Sequence, residues 1–371
     1  MMSARFLTVV LERAFNMRDG FGREIDYMRI SVIDSCNLNC YYCNPCDNNE
    51  HCHALNILSV KEVLCIVRAA TRLGIKHFRL TGGEPLLHPQ LDEMVLQIKK
   101  IPGVSSVSLT TNAVLLAQHA KRFKEAGIDS INVSLDTIDA SEYERITKKP
   151  LLEEVKNGIN AAIECGIRVK INVVLTPQTD VVALTRYVAK KGTDIRFIEM
   201  MPVGEGHTNG VEPYKKVIGT LSKLYGEPCR INTEKTKEIN SGNDKRKIPD
   251  NGPAEYYIFP ELGIRVGLIQ AIHGKFCDTC NRIRVTADGR LMPCLGSSVT
   301  MDLVPDSWDF ADDVEKDFAI VRALRAAIKA KPRCHNFNDN AVTYTKTTET
   351  KTTEIEAAEV NAARNMSRIG G

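Results

Sequence analysis

Short extended runs and longer amphipathic runs alternate along the first 200 residues. The extended runs are YMRISVI (27–33), HFRLT (77–81), SSVSLTT (105–111), SINVSLD (130–136), RVKINVVL (168–175) and DIRFIEMM (194–201). Their β-branched and aromatic content predicts strands. Between them, apolar residues recur at helical spacing: over 59–73, Val60, Val63, Leu64, Val67 and Ala70 share one face. Ser59 with Glu62 forms a capping box there, and Gly74 stops the helix. A second helix is predicted from about Leu115 to Ala126, with Gly127 as its stop. Such strand–helix repeats imply a parallel sheet with helical crossovers, curled toward a barrel. Six units fall short of the eight that close a barrel. The predicted fold class is α/β, an incomplete, open parallel β/α barrel of about six βα units.

Past residue 230 the pattern changes. KTKEINSGNDKRKIPDNGP (235–253) reads as a polar link, followed by short β-like runs to about residue 300 and a helix over Asp313–Lys329. From Asn336 the chain turns polar, and AVTYTKTTETKTTEIEAAEV (341–360) reads as a low-complexity spacer. The predicted divisions are therefore a barrel over 18–230, a smaller C-terminal domain over 231–335, and a flexible tail over 336–371 that ends in Gly-Gly.

A chain of 371 residues suits one large domain plus a smaller one. The net charge of +3 is too small to argue for nucleic acid, and no apolar run is long enough to span a bilayer, so neither nucleic acid nor membrane is expected. The start, MMSARFLTVVLERAFNMRD, has charges within its apolar stretch and does not read as a signal peptide. The 12 cysteines then predict metal ligands in a reducing cytoplasm rather than disulfides.

DSCNLNCYYCNP (34–45) sets Cys36, Cys40 and Cys43 in C-x3-C-x2-C spacing. A closed zinc site needs four ligands and a thiol–disulfide motif needs a pair. Three thiolates can hold three irons of a [4Fe–4S] cube and leave the fourth open to a small molecule. Incidental buried cysteines or an incomplete zinc site are the alternatives. In a parallel barrel, chemistry gathers where strand carboxyl ends open into loops. The cysteines follow strand one, Gly82-Gly83-Glu84-Pro85 strand two, while Thr110-Thr111-Asn112 and Ser134-Leu135-Asp136 end strands three and four. Lys170 and Asn172 lie on strand five; Glu199, Met200 and Met201 finish strand six.

A second set, Cys277, Cys280 and Cys294, again holds three cysteines, as C-x2-C-x13-C. His273 would be the fourth ligand if this were zinc. Between these cysteines lies Arg282-Ile283-Arg284-Val285, and on a strand both guanidinium groups share one face. Two planar forks beside an under-ligated cluster suit phosphate oxygens.

C-x3-C-x2-C with Tyr42 before its last cysteine, followed by Gly-Gly-Glu-Pro, resembles the radical S-adenosylmethionine superfamily. DGFGREIDYMRISV, RLTGGEPLL, LTTN, NVSLD, RFIEMMPVG, GPAEYY and CNRIRVTADGRLMPCL resemble its GTP 3′,8-cyclase family, over about Asp19 to Leu295 and again at Met366–Gly371. That resemblance implies two [4Fe–4S] clusters, on Cys36, Cys40 and Cys43 and on Cys277, Cys280 and Cys294, each with one open iron. It places S-adenosylmethionine against Tyr42, Gly83, Ser134 and Met201. GTP would contact Arg29, Arg79, Thr110, Lys170, Arg196, Arg282, Ile283 and Arg284, and Gly370 and Gly371 would reach into the active site. The implied reaction is a lyase step of molybdenum cofactor biosynthesis. A 5′-deoxyadenosyl radical takes hydrogen from the ribose 3′ carbon, and the ribose radical attacks the guanine eight-position. An electron donor and a downstream enzyme are the implied partners, and a homodimer is left open. The family usually has Thr-Thr-Asn-Gly where Ala113 stands here, so that turn is expected to differ slightly. Cys46, His51, Cys52 and His53 match no family role. Two other readings stay open: another radical S-adenosylmethionine enzyme with an auxiliary cluster, such as a peptide modifier, and a non-enzymatic iron–sulfur carrier or sensor.

Overall fold

The computed structural model describes residues 17–43, 56–203, 210–231, 252–297, 299–303, 313–335 and 337. Six strands alternate with helices: β1 (Tyr27–Ser31), α1 (Val60–Arg72), β2 (His77–Thr81), α2 (Leu91–Lys99), β3 (Ser106–Thr111), α3 (Leu116–Ala126), β4 (Ser130–Ser134), α4 (Ala140–Thr147), α5 (Leu152–Glu164), β5 (Val169–Val174), α6 (Val181–Lys190) and β6 (Asp194–Ile198). The predicted strands and helices lie where the periodicity put them. At the start of α1, Ser59 Oγ accepts from the Glu62 amide while Glu62 Oε2 accepts from the Ser59 amide at 2.7 Å. Gly127 closes α3 in the left-handed region (φ 81°).

After β6 come α7 (Gly219–Tyr225), β7 (Cys229–Ile231), β8 (Glu255–Ile258), β9 (Arg265–Ile269), β10 (Arg282–Val285), β11 (Arg290–Met292), β12 (Met301–Asp302) and α8 (Asp313–Lys329). Their strands extend the same sheet at both edges, in the order β12-β11-β10-β1-β2-β3-β4-β5-β6-β9-β8-β7. β10 runs parallel to β1, and β9 parallel to β6. The sheet ends in antiparallel hairpins on each side and stays open. The loop from β9 to β10, which carries Cys277 and Cys280, crosses from one edge region to the other.

The two faces of the strands differ. Met28, Ile30, Phe78, Leu80, Val107, Leu109, Ile131, Val133, Ile195 and Phe197 are fully buried in one apolar core with the inner faces of the helices. Burying such a side chain contributes about 1.5–3 kcal/mol relative to exposure. The alternate positions are polar: Arg29, Arg79, Ser108, Thr110, Asn132, Ser134, Lys170, Asn172 and Arg196. Strands of a parallel sheet are usually apolar on both faces, so this alternation leaves a polar interior.

Candidate active site

Close backbone contact sets the first cysteine loop. Gly83 N donates to Ile33 O and Glu84 N to Ser35 O, both at 2.7 Å. A Cβ on Gly83 would stand 2.2 Å from Ser35 O, and one on Gly82 2.3 Å from Ile33 O. Backbone cannot yield to that degree, so only glycine fits. Glu84, 1% exposed, then accepts from Thr111 Oγ1 (2.6 Å), Asn112 N (2.7 Å) and Leu86 N (3.1 Å). Burial pushes its carboxyl up to about 7 against those three donors. Asn112, so placed, donates to Asn37 Oδ1 at 2.7 Å and to Cys36 Sγ at 3.9 Å. The far side of the loop is tied to α4, through Asn39 N to Thr147 O and Tyr41 N to Ile146 O. The expected change of turn at residue 113 takes a definite form: Ala113 adopts the left-handed conformation (φ 65°), at a cost of about 1–2 kcal/mol for a residue with a Cβ.

The second cysteine loop is held from the other side. Arg23 donates to Cys277 O (2.7 Å), Pro332 O (2.6 Å) and Arg333 O (2.9 Å), and is itself fixed by Asp19 at 2.6 Å. Lys331, 3% exposed, donates to Arg282 O and Pro293 O. His273, the alternative fourth ligand, is paired with the carboxylate of Glu199, whose other oxygen accepts from Ile272 N at 2.7 Å.

Do these loops suit clusters? All six cysteines are free thiols. Cys36 Sγ accepts from Leu38 N (3.5 Å), and Cys280 Sγ from Arg282 (3.8 Å), the kind of hydrogen bond to sulfur that tunes a cluster. Among the described residues no three His, Cys, Asp or Glu side chains converge tightly enough to share one metal ion. A cube does not ask for that, because each thiolate takes a different iron. Burial raises Cys36 to about 11 and Cys43 to about 12, so the charge of the irons is what would hold them as thiolates. Burial also raises Cys280, but Arg282 and Lys331 outweigh it and bring this thiol down to about 6. Both loops fit.

Between the loops lies a cavity of about 550 Å³. Its wall includes Tyr42, Ser134 and Met201, together with Arg29, Arg79, Thr110, Lys170, Arg196, Arg282 and Arg284, and the thiols of the second loop. Gly83 does not line it, and Ile283 is packed in the core at 1% exposure. Gly370 and Gly371, the spacer, and Cys46, His51, Cys52 and His53 lie outside the described residues.

Register sets the charge pattern. Arg284, Arg29 and Arg79 face one another on adjacent strands β10, β1 and β2, about 4.8 Å apart. Burial, then Arg284 and Arg79, push Arg29 well below its ordinary value. Burial and Arg282 bring Arg284 down to about 10. Guanidinium does not deprotonate in proteins, so both shifts express buried cations crowded against one another. Arg29 Nε is buried with no hydrogen-bond partner. Arg196 is held by Asn172 Oδ1 (2.9 Å) and Asn132 Oδ1 (2.5 Å), and Lys170 lies 5.8 Å from the Tyr256 ring centroid.

Sequence reasoning missed Arg23, Lys331 and Asn132, as well as His335 and Phe337, which line the cavity. The polar alternation of the strands could have found Asn132. Nothing local marks the others, which meet the site through partners distant in sequence.

The chain matches the Radical SAM superfamily profile over residues 30–183 and the Molybdenum Cofactor Synthesis C profile over 193–337. It is 35% identical over 324 residues to the GTP 3′,8-cyclase of Clostridium perfringens (strain SM101 / Type A), covering 86% of this chain and 95% of that one. The GTP 3′,8-cyclase of Peptoclostridium acidaminophilum is 37% identical over 328 residues, covering 86% and 94%. Among solved structures, Streptococcus suis SuiB bound to S-adenosylmethionine superposes with a TM-score of 0.53 at 14% identity, over 81% of this chain. The chain spans 65% of that structure, and the likeness is one of fold. Matched along nearly its whole described length, the chain belongs to the GTP 3′,8-cyclase family of the radical S-adenosylmethionine superfamily.

Proposed function

We propose that this chain converts GTP into (8S)-3′,8-cyclo-7,8-dihydroguanosine 5′-triphosphate, with S-adenosylmethionine cleaved to methionine and 5′-deoxyadenosine at the expense of an electron donor, the lyase step that opens molybdenum cofactor biosynthesis. The observation that carries the reading is the row Arg284–Arg29–Arg79, three facing cations in a cavity between two three-cysteine loops. A redox carrier has no use for such a row, whereas a triphosphate offsets it directly. The cofactors are [4Fe–4S] clusters and S-adenosylmethionine.

In this reading Cys36, Cys40 and Cys43 hold the first cluster and Cys277, Cys280 and Cys294 the second, each leaving one iron open. Held by Cys36, Cys40 and Cys43, a reduced cluster would supply the one electron that reductive cleavage of S-adenosylmethionine requires. Tyr42, Ser134 and Met201 orient that cosubstrate, and the Gly83 backbone closes against the loop beneath it. Arg29, Arg79, Arg282 and Arg284 take the phosphates, with Lys170 and Arg196 on the opposite wall and Thr110 between. Ile283 contributes through its main chain and through packing that aims its two arginine neighbours. Gly370 and Gly371 enter the cavity from the tail. The reading gives the first cluster and S-adenosylmethionine to residues 18–230 and the second cluster with its side of the GTP site to 231–335, while Arg29, Arg79, Thr110, Lys170 and Arg196 face that site from the barrel. An electron donor, a downstream enzyme that takes the cyclic product, and a cytoplasmic setting complete it.

Anaerobically reconstituted protein should hold about eight irons, from two cubes. With dithionite, S-adenosylmethionine and GTP it should release 5′-deoxyadenosine and a cyclic isomer of GTP, separated and identified by mass spectrometry. Cleavage of S-adenosylmethionine with no GTP-derived product, and no GTP binding, would sink the proposal.

A further inference from the structure

The cavity does not end at the arginine row. It continues down the barrel to the amino ends of the strands, where Tyr27, His77, Ser106, Ser130 and Arg168 form its floor. Arg168 stands immediately before β5 and shares the inward face of that strand with Lys170 and Asn172. By strand rise it lies about 20 Å below Val174 at the upper end.

Arg168, like Arg29, carries a buried donor without an acceptor. Its Nη2 is shut off from solvent and has no hydrogen-bond partner. Leaving a charged donor in that state is costly. Asp129 at the same floor pairs with Lys99 instead, its Oδ2 accepting from Lys99 Nζ at 2.9 Å and from Val107 N at 2.7 Å. The imidazole of His77 is turned to Ser106 Oγ at 2.8 Å. Small serines at 106 and 130 leave open space between Arg79 and Arg168. In strand register Arg79 pairs with Ser108 and Ser108 with Ser130, and Ile131 N donates to Arg168 O, so a phosphate chain that leaves the row of Arg284, Arg29 and Arg79 past these small serines meets Arg168.

We propose that Arg168 contacts the terminal phosphate of the nucleotide and sets the preference for a triphosphate over a diphosphate. The inference rests on the cyclase reading for the identity of the nucleotide, while the contact itself requires only a triphosphate chain. Binding of GTP, GDP and inorganic tripolyphosphate to the anaerobically reconstituted enzyme tests it by equilibrium dialysis. Arg168→Gln should weaken GTP and tripolyphosphate about 10- to 100-fold, the range for losing a hydrogen bond to a charged group. GDP affinity should change less than about twofold, because the shorter chain does not reach the floor. Arg168→Lys, which keeps the charge and loses the fork, should fall between. In turnover, the loss should appear in KM for GTP. Equal weakening of GTP and GDP, or no change in either, would overturn the assignment. Should Arg168→Gln shed iron, the GTP-to-GDP ratio in Arg168→Lys decides by the same two outcomes. Tripolyphosphate binding that depends on Arg168 in a protein that forms no cyclic product would leave this contact standing and remove the cyclase reading.

Discussion

The Tyr42 hydroxyl donates a 2.5 Å hydrogen bond to Oδ2 of Asp136, joining the first cysteine loop to the end of β4. Oδ1 of the same carboxylate accepts from Val174 N at 2.7 Å, so one aspartate ties the loop to two strand ends. Asp136→Ala strips both donors of their acceptor, whereas Tyr42→Phe removes only one of the bonds. A hydrogen bond to a charged group contributes about 1.5–3 kcal/mol. Iron lost to a chelator over time should therefore rise in the order wild type, Tyr42→Phe, Asp136→Ala. An aspartate variant that keeps its iron as well as wild type would show that this bond does not hold the loop.

The arginine pair on β10 separates nucleotide binding from radical generation. Arg282→Ala or Arg284→Ala should weaken GTP binding by about 1.5–3 kcal/mol, through loss of a charge-assisted contact. Cleavage of S-adenosylmethionine should persist, uncoupled from product. Unaltered GTP affinity in both variants would remove the triphosphate from this row.

Glu84 makes stability depend on pH. Its carboxyl rises from an ordinary 4.5 to about 7 in the folded chain, by burial. Between those values the folded state keeps a proton that the unfolded state has released, so stability falls as pH rises. Below about 4.5 both states are protonated and nothing is lost; above about 7 the full decrease, on the order of 3 kcal/mol, is reached. Thermal midpoints of wild type and Glu84→Gln across pH 4.5 to 8 isolate this slope, because other groups titrate alike in both. The glutamine variant should lack it and be less stable at low pH, since its amide offers one acceptor to three donors. Parallel curves would refute it.

The tail is the third test of the cyclase reading. Replacing Gly370 and Gly371 together with alanine should abolish cyclisation while both clusters and the melting temperature are retained. Two added methyl groups at a narrow reacting centre shift groups by about 1 Å, which can cost about a hundredfold in rate. Full activity of the double variant would show that the chain end takes no part.

Much of the molecule was legible from its one-dimensional pattern. Strand and helix positions followed from local periodicity and caps, because a helix such as α1 is started by Ser59 and Glu62 and shaped by its own apolar stripe. The two cysteine loops were equally plain, since spacing along the chain is what a ligand set needs. The sequence alone also put Arg282 and Arg284 on one face, from the two-residue period of a strand.

What it did not contain was neighbourhood. That β10 lies parallel to β1, and so brings Arg284 beside Arg29, depends on a pairing across more than 250 residues, which no local preference encodes. The same holds for Arg23, which reaches the Cys277 carbonyl across the chain, and on a shorter scale for Lys331, whose partners Arg282 O and Pro293 O lie in the preceding hairpin region. Glu84 was legible only as one residue of the Gly-Gly-Glu-Pro stretch after strand two, and became the anchor of Thr111 and Asn112 once β2 and β3 were side by side. Local chemistry along the chain determines which groups are available and which face they take. Tertiary pairing decides which of them meet, because that choice is set by burial of the whole apolar face at once.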